Sequence, residues 1–466
     1  MIARLNKFVL AILAPALLAG CASNPDWKLL EDSKYGLQDA SVRTVAAIGK
    51  RPDWVQSREE AEEAAAQTRV MLNGKTVSKD MAVRVAILNN KGLQADLAEI
   101  GISSAEMWQE TMLINPILSI GTADKASVRI FELAIVGNLL ALITREKRVA
   151  IAEAKFREAQ HNAAYAVLKL AFDTERAWIK TVAAKESVTY MTQAQIASDA
   201  SSDLAKELGR TGAFNKVAQA REHAVYAEIT GQLAEAKINE REAREELNRH
   251  LGVWGDDIKY SLPASLPKLP AGTIAKTGIE TEALRKRVDL LIAKYELEAV
   301  AREHELENAT RYLTDLELVA AVEFEKPKAG GPTELSKKRI ELEFAIPIFD
   351  SGSARLQKAE FLYMQAANRL AEKAVNIRSE ARGAYDKYKS TYELARHYRD
   401  KVVPLREVIK QERLLEYNGM IASTFELLED TRAATEALLM SAIAKQNFWL
   451  AEVDLRSAIH GGRGEQ

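Results

Sequence analysis

Apolar and polar residues alternate strictly in the stretch Arg339–Ile348, and Leu316–Glu325 alternates in a similar way, with Val319 and Ala321 among the residues of its other side. Alternation with a period of two predicts β-strands that have one apolar and one polar face. A polar segment at 326–338 joins the two stretches, so the sequence predicts a hairpin. A soluble sheet that lies on helices and a membrane barrel with lipid outside and water inside both produce this pattern. The apolar positions are Leu316, Leu318, Ala320, Val322 and Phe324 in one strand and Ile340, Leu342, Phe344, Ile346 and Ile348 in the other.

A long helical pattern follows this hairpin and ends at Asn418-Gly419. The segment Ser351–Tyr417 is rich in Ala, Leu, Glu, Lys and Arg, which favour helices, and its single proline is Pro404. At ~1.5 Å per residue this helix would be roughly 100 Å long. Because proline lacks a backbone N–H, Pro404 is predicted to bend the helix. A second helix is predicted to return over Ser423–Ile459.

The first half of the chain follows the same plan as the second. At an offset of 207 residues, Trp178 corresponds to Tyr385 and Gly212 to Gly419. The predicted fold is therefore mainly α with a small β part, a two-fold internal repeat of very long antiparallel helical hairpins with four strands per protomer. The predicted segments are a lipoprotein signal peptide (1–20), an N-terminal lead-in (21–77), a first repeat (78–252, with a less regular strand pair at 114–136 and a helical hairpin at 140–251), a linker (253–280), a second repeat (281–460, with a strand pair at 313–348 and a helical hairpin at 351–459) and a tail (461–466).

The N-terminus has the pattern of a lipoprotein signal peptide. Arg4 and Lys7 precede an apolar stretch over Phe8–Leu18, and small residues then precede Cys21, the single cysteine of the chain. This arrangement resembles the lipobox of bacterial lipoproteins, which implies cleavage before Cys21 and acylation of that residue. Neither Ala22 nor Ser23 is acidic, which resembles the context of lipoproteins sent to the outer membrane.

Composition and motifs argue against several other classes of protein. With 64 Lys and Arg against 66 Asp and Glu, the chain lacks the clustered basic excess of a nucleic-acid binder. The six histidines are scattered and form no metal-binding or nucleophile motif. The sequence therefore predicts no enzyme, no metal site and no cofactor other than the lipid on Cys21.

Several motifs, in this order, resemble the outer membrane factor family, the TolC-like channel-tunnels. They are the Leu-Asn-Asn-x-x-Leu-Gln-Ala core within Ala82–Ala95, its counterpart at Ala283–Ala293, the strand-to-helix segment Ile346–Arg355, and Val403-Pro-Leu405 followed by Tyr417-Asn-Gly419 and Phe425-Glu-Leu-Leu428. The similarity covers most of Ser78–Ile459. The entry to the first long helix, Val136–Thr144, lacks the Pro-x-Phe-Asp-x-Gly of the second half. This departure leaves open whether the first strand pair completes a barrel.

The resemblance implies a homotrimer whose strands form one twelve-strand barrel in the outer membrane and whose long helices form a periplasmic tunnel. It implies a passive duct that accepts cargo from an inner-membrane pump through a periplasmic adaptor (membrane fusion) protein, with outer-membrane lipid as a further partner. The cargo is left open between drugs, metal ions and polypeptides.

The resemblance also suggests functional residues at the helical turns. Glu426 and Glu429 would form pore-lining carboxylate rings, although an outward-facing, solvated position is an equal alternative. Gly209, Gly212 and Gly419 mark where an adaptor would dock, and Arg210 is the candidate for a gating ion pair. Two other functions remain open: the outlet of a type I protein secretion system, and a non-conducting, lipid-anchored periplasmic coiled-coil scaffold.

Overall fold

The computed structural model describes residues 34, 36–274 and 277–461 of the 466-residue chain. Cys21 and the predicted signal peptide lie outside the described residues. The helices are α1 Leu37–Ile48, α2 Arg58–Leu72, α3 Lys79–Asn89, α4 Lys91–Thr111, α5 Leu139–Ile143, α6 Arg145–Arg210, α7 Lys216–Leu251, α8 Ile279–Lys286, α9 Val288–Ala309, α10 Ser353–His397, α11 Val403–Asn418 and α12 Thr424–His460. The strands are β1 Ile117–Asp124, β2 Val128–Asn138, β3 Leu316–Pro327 and β4 Glu334–Phe344.

The predicted fold class is confirmed. In the described residues each half contains a strand pair between helices, and the four strands together form one sheet. Each half begins with two helices that are separated by one extended residue, Asn90 in the first and Arg287 in the second. Asn90 explains the first interruption, because its side chain accepts a hydrogen bond from the backbone N–H of Leu93 and so caps α4.

The described residues form two compact units. Unit 1 contains the described residues up to Asp39, together with Ala98–Asn162 and Leu290–Lys373. Unit 2 contains Ala40–Leu97, Ala163–Asp289 and the described residues from Ala374 onward. None of the helices in the described part of the chain has an apolar run long enough to cross a membrane.

Unit 1 contains the sheet, in which the strands lie in the order β1-β2-β3-β4 and every pair is antiparallel. The less regular first hairpin nevertheless pairs continuously, from Ile117 opposite Val136 to Asp124 opposite Arg129. Strand β2 pairs with β3 over its whole length. The two predicted strand pairs therefore join into one sheet whose outer strands are β1 and β4.

The ends of β4 differ from the sequence prediction. The strand begins at Glu334, within the predicted turn, and stops at Phe344, four positions before Ile348. A bulge between Glu323 and Phe324 of β3 places Leu335 opposite Phe324, which allows the polar residues at the start of β4 to continue the ladder. The hairpin loop is consequently only 328–333.

The helices of unit 1 pack against one another through charged and backbone groups. The Arg302 guanidinium donates to the carbonyl of Ala150, with 3.2 Å between the two atoms. Lys155 forms an ion pair with Glu303 at 2.7 Å, which also joins α6 to α9. These contacts fix α9 beside the start of α6.

Alanine dominates the buried face of the long helix α6 within unit 2. Ala163, Ala164 and Ala171 are fully or almost fully buried there, with Leu168 and Phe172 between them. Small side chains let helices approach closely, so this face buries little apolar area per residue. Farther along α6, the indole N–H of Trp178 donates to the carbonyl of Val77 at 2.9 Å, which ties the helix to the segment before α3.

Pro404 distorts the long helix as predicted, and the distortion is a π-helical turn just before it. Five residues, Tyr398–Val402, form a π-helical turn between α10 and α11, in which the Val403 N–H bonds to the carbonyl of Tyr398. Proline at 404 cannot donate a hydrogen bond to the carbonyl four residues earlier, and its ring would clash with that carbonyl in a regular helix. The wider π turn relieves this clash and marks the distortion of the helix.

We expect the Glu158→Gln substitution to stabilise the protein at neutral pH. Burial, reinforced by the nearby Glu296 carboxylate, raises the pKa of Glu158 above its ordinary value, against the opposing effects of Lys155 and Asn162. A carboxyl group whose pKa is higher in the folded state destabilises folding above that pKa, and this penalty vanishes below the unfolded-state pKa of about 4.3. The melting temperature of the variant should therefore exceed that of the wild type at pH 7 and equal it near pH 4.

The matched control is Glu372→Gln, which changes an exposed carboxylate in the same unit. It should leave the melting temperature unchanged at both pH values. A destabilised Glu158→Gln variant at pH 7 would show that the carboxylate makes a favourable interaction.

Candidate functional sites

The first helical turn places Gly209, Arg210 and Gly212 together at the end of α6. Gly212 has φ of +77°, a left-handed conformation that favours glycine, while α7 begins after Asn215. The side chain of Asn215 accepts a hydrogen bond from the N–H of Ala218 at 2.8 Å and so caps α7. The turn is therefore specified locally, by one glycine and one capping residue.

The Gln219 side chain of α7 lies directly against Gly209 and would have to move if a larger residue replaced it. A Cβ atom added at Gly209 would lie 2.0 Å from the side-chain amide of Gln219. Arg210 forms an ion pair at 3.0 Å with Glu207 of its own helix, and both side chains are mostly exposed. An exposed pair of this kind contributes little stability, so the role of Arg210 in gating stays a prediction.

The second turn is built differently from the first, although both were predicted at glycines. Gly419 ends α11 with an ordinary negative φ of −80°. The left-handed residue is Met420, at φ +59°, and its side chain is almost completely exposed. Left-handed backbone is uncommon for a residue other than glycine. The carbonyl of Glu416 accepts the N–H of Ile421 at 2.9 Å, which helps to hold this conformation.

Glu426 has a local structural role that the sequence analysis did not identify. Its carboxylate accepts hydrogen bonds from the backbone N–H and the hydroxyl of Ser423, at 2.8 and 2.9 Å, while the Ser423 hydroxyl accepts the N–H of Glu426. These reciprocal bonds form a capping box at the start of α12. The bonds from Ser423 hold the pKa of Glu426 below its ordinary value. The spacing Ser-x-x-Glu was a visible signal for this cap.

Glu429 is exposed one helical turn after Glu426, and no ion pair joins it to another described residue. The neighbouring Asp430 instead pairs with Arg413 of α11 at 2.8 Å. Arg413 also pairs with Glu416, likewise at 2.8 Å, and therefore links the two helices beside the turn. The proposal that Glu426 and Glu429 line a pore stays a prediction.

Three buried glutamates connect α12 to the first helical hairpin of unit 2. Their side chains are only 2–7% exposed, and each is paired with one basic residue of α12. The Glu222 carboxylate lies 2.6 Å from the Arg432 guanidinium and also accepts the hydroxyl of Ser201 at 2.6 Å. The three pairs are Arg432 with Glu222, Lys445 with Glu186, and Arg456 with Glu175.

A strap, residues 267–274, is held against α10 and α12 by aromatic side chains. The Trp449 indole donates to the carbonyl of Pro267 at 3.1 Å, and the Tyr392 hydroxyl donates to the carbonyl of Pro270 at 3.1 Å. The Tyr392 ring packs on the fully buried Phe448. The strap is therefore anchored both to α12, through Trp449, and to the C-terminal part of α10, through Tyr392.

The sheet of unit 1 has two chemically different faces. The strand register places Ala320 opposite Ile340 and Leu318 opposite Leu342, as the alternation predicted. Ile340 is 80% exposed and Ile120 of β1 is 72% exposed, so no described residue covers this apolar face. The apolar face includes Leu118, Ile120, Phe131, Leu133, Ile135, Leu316, Leu318, Val322, Phe324, Leu335, Ile340, Leu342 and Phe344.

The opposite face of the sheet is strongly acidic. Glu132 lies directly opposite Glu323, and Glu317 lies directly opposite Glu343. Arg339 forms ion pairs with Glu132 at 2.7 Å and with Glu341 at 3.2 Å. Carboxylates outnumber basic groups on this face: Glu132, Glu317, Glu323, Glu325, Glu334, Glu341 and Glu343 against Lys337 and Arg339. The sequence predicted glutamates on one face of the second hairpin, but not that Glu132 of β2 lies on the same face.

Comparisons with known proteins agree on one fold. No protein-family model and no curated protein matches the chain. Several solved structures do, including the CmeC outer membrane channel of Campylobacter jejuni, with 17% identity, 84% of this chain and 89% of that chain covered, and a TM-score of 0.70. The chain has the fold of outer-membrane channels. The predicted resemblance to the outer membrane factor fold is therefore confirmed.

Two further structures with the outer membrane factor fold are similar to this chain. The outer membrane protein VceC of Vibrio cholerae is 15% identical, with 82% of this chain and 96% of that chain covered and a TM-score of 0.67. The open state of the MtrE outer membrane channel of Neisseria gonorrhoeae is 15% identical, with 82% and 88% covered and a TM-score of 0.66. The described residues contain no group of three or more side chains placed to hold a metal ion.

We expect the Arg432→Ala substitution to loosen the hairpin of α6 and α7 near the turn that connects them. Glu222 would then remain buried with only the Ser201 hydroxyl as partner, and breaking a buried pair from one side costs about 3 kcal/mol. Hydrogen exchange of the α7 amides near Glu222 should accelerate accordingly. The double variant Glu222→Gln with Arg432→Ala should recover much of the protection, because it removes the stranded charge.

The control for this experiment is Arg210→Ala, which removes an exposed ion pair on the same hairpin. Its effect on exchange should correspond to less than about 1 kcal/mol. Equal effects of Arg432→Ala and Arg210→Ala would contradict a special role for the buried pair.

We expect the Trp449→Phe substitution to release part of the strap. The ring would still pack, but the hydrogen bond to Pro267 would be lost, a change of about 1 kcal/mol. Lys268 lies exposed within the strap, so trypsin cleavage after it should become several-fold faster. Trp254→Phe, at a tryptophan that is 83% exposed, serves as the control and should not change the cleavage rate.

Proposed function

We propose that three copies of this chain form a passive channel in the bacterial outer membrane. In this proposal each copy contributes its four strands to one shared twelve-strand barrel, and its long helices enclose a water-filled path in the periplasm. The observation that supports the proposal most strongly is the exposed apolar face of the sheet, from Leu118 in β1 to Ile340 in β4.

The exposed face favours lipid as its surroundings over water. Ile120, Ile340 and Leu342 are each more than half exposed, and leaving such side chains in water forgoes about 1.5–3 kcal/mol for each. Soluble proteins seldom expose a continuous apolar patch of this kind. The alternative of a sheet that lies on helices would require this face to be covered, and no described residue covers it.

The two outer strands argue for association of several copies. Strands β1 and β4 each have one edge that pairs with no other described strand. In lipid an unpaired edge costs several kcal/mol for each unsatisfied N–H or carbonyl group. Pairing β4 of one copy with β1 of the next satisfies both edges and removes the open ends of the sheet.

The proposal includes an inner-membrane pump that supplies the energy and a periplasmic adaptor that docks at the helical turns near Gly209, Arg210, Gly212 and Gly419. It also includes two sequence repeats, 78–252 and 281–460, and a lipid on Cys21 that anchors the chain to the outer membrane. The sequence resemblance supports these elements.

Two other functions compete with this proposal. An outlet for secreted polypeptides would have the same architecture and differ only in its cargo. A non-conducting coiled-coil scaffold tethered by a lipid would have no use for a sheet with an uncovered apolar face. The sheet therefore favours a channel over a scaffold.

Single-channel recording tests the proposal. The full-length protein, purified in detergent and reconstituted into a planar bilayer, should show discrete openings, and its mass in detergent should correspond to a trimer. A monomer that never conducts, even after Arg432→Ala loosens the first turn, would favour the scaffold instead.

Ion selectivity should locate the charged part of the pore. Clustered carboxylates in a narrow aqueous pore attract cations and repel anions, so the wild type should prefer cations. The double variant Glu317→Gln with Glu343→Gln tests the acidic face of the sheet, and Glu426→Ala with Glu429→Ala tests the second turn. Glu436→Ala, at an exposed position farther along α12, is the control and should leave selectivity unchanged.

A fall in the cation-to-anion permeability ratio in one double variant identifies its carboxylates as pore-lining. A ratio unaffected by Glu426→Ala with Glu429→Ala would remove the proposed rings at the turn. A wild type that prefers anions would contradict both locations.

A further inference from the structure

Basic residues lie on the apolar face of the sheet at the end where the hairpin loops are found. Arg129 of β2 and Lys326 of β3 are directly opposite each other in the strand register. Both side chains are exposed. Like charges directly opposite each other destabilise a sheet, so this pair is not explained by the folding of the sheet. Asp124 forms an ion pair with Arg129 at 3.0 Å, but no described residue forms an ion pair with Lys326.

The two charges lie immediately beyond an aromatic pair on the same face. Phe131 and Phe324 are the next residues of β2 and β3 on this side of the sheet, and they too are directly opposite each other. Two positions along a strand correspond to about 7 Å. Phe131 is 39% exposed, and aliphatic residues such as Leu133 and Ile120 continue the face beyond it. In β2 and β3 the face therefore changes from aliphatic to aromatic to cationic within three rows, and Lys338 of β4 adds a further basic residue in the aliphatic row, opposite Val322.

Further basic groups converge on the same end of the sheet. The backbone N–H of Lys328 donates to the carbonyl of Ser127 at 2.9 Å, which joins the two hairpin loops. Lys125 lies in the first of these loops and is exposed. The nearby carboxylates of Glu325 and Glu334 belong to the opposite face, where they are paired with each other in the register. Asp124 is thus the carboxylate that shares the face of Arg129 and Lys326 at this end, while Glu325 and Glu334 lie on the other face.

We propose that Arg129 and Lys326 form a binding site for the phosphate-bearing headgroup of an anionic membrane lipid. The guanidinium and ammonium groups provide charge-assisted hydrogen bonds to phosphate oxygens. The lipid chains lie along Phe131 and the aliphatic rows beside it. The inference rests on the proposed function, because it requires the apolar face to lie in a bilayer.

The arrangement fits a lipid better than free phosphate. A free phosphate would use only the two cations and would gain nothing from the exposed aromatic and aliphatic rows. A lipid uses both parts of the site, because basic residues at a membrane surface attract anionic headgroups while apolar residues contact the chains. Asp124 offsets the charge of Arg129 only, so Lys326 gives the site a net positive charge.

Lipid selectivity in a reconstituted bilayer tests the site. The full-length protein is reconstituted in phosphatidylcholine with a trace of spin-labelled phosphatidic acid or spin-labelled phosphatidylcholine, and the fraction of motionally restricted label is measured for each. The wild type should select phosphatidic acid, and added salt should weaken the selection. The double variant Arg129→Gln with Lys326→Gln should lose roughly tenfold in relative association constant.

Two matched variants separate a charge effect from a folding effect. Lys337→Gln removes a basic residue from the same hairpin but from the opposite face, and it should keep the selectivity. Arg129→Lys with Lys326→Arg keeps both charges and should also keep it. If the glutamine double variant does not fold, these two variants still test the proposal. Both of them must select phosphatidic acid as the wild type does.

Three results would overturn the proposal. They are a wild type without selectivity, an equal loss in Lys337→Gln, and displacement of the labelled lipid by inorganic phosphate at the same concentration, which would indicate a simple anion site. Conductance measured on the same vesicles keeps the two proposals separate. Selectivity without conductance would contradict the channel alone, and conductance without selectivity would contradict the lipid site alone.

Discussion

The uncovered apolar face of the four-stranded sheet is the constraint on which the rest of unit 1 depends. Hydrophobic burial is the main favourable contribution to folding, and a sheet normally gains it by packing on another layer. Here the register aligns residues such as Leu318 and Leu342 on a face that no described residue covers, while a small cluster of Ala134, Val319 and Ala321 lies on the other side. An exposed apolar face is favourable only next to apolar surroundings, and the proposed membrane location rests chiefly on this observation.

The sequence predicted the elements well where local chemistry determines them. Helix α2, Arg58–Leu72, is an example of such local determination, because Ser57 caps its first turn and a regular helical composition follows. The faces of β3 and β4 also follow the prediction, because alternation fixes which residues share a side once two strands pair. The ends of β4 were not predictable in this way. Its first residues, beginning at Glu334, are polar and resemble a loop, and they continue the strand only because a bulge near Phe324 restores the pairing.

The candidate sites were predictable to a smaller extent, since their chemistry depends on contacts between distant residues. The turns at Gly212 and Gly419 were visible in the repeat, but the left-handed residue of the second turn is Met420, which nothing in its side chain indicates. The burial of Glu222 was even less predictable from the sequence. Its partner Arg432 is 210 residues away, and helix periodicity in an Ala-rich and charged sequence does not show which face is buried.

The buried ion pairs along α12 complement the Ala-rich packing of the helices. Small, similar side chains on facing helices distinguish poorly between one alignment and another shifted by a turn of about 5.4 Å, because each alignment buries similar apolar area. Basic residues at 432, 445 and 456 each reach one glutamate in the first hairpin, at 222, 186 and 175. A shift by one turn would remove the α12 partner of all three buried carboxylates at once, although Glu175 would keep its ion pair with Lys79. Such a loss costs more than the small differences in packing. The pairs therefore act chiefly on specificity, since a buried ion pair contributes little net stability when it is compared with an apolar contact of the same size. In unit 2, charge selects the alignment of helices that alanine alone would leave undetermined.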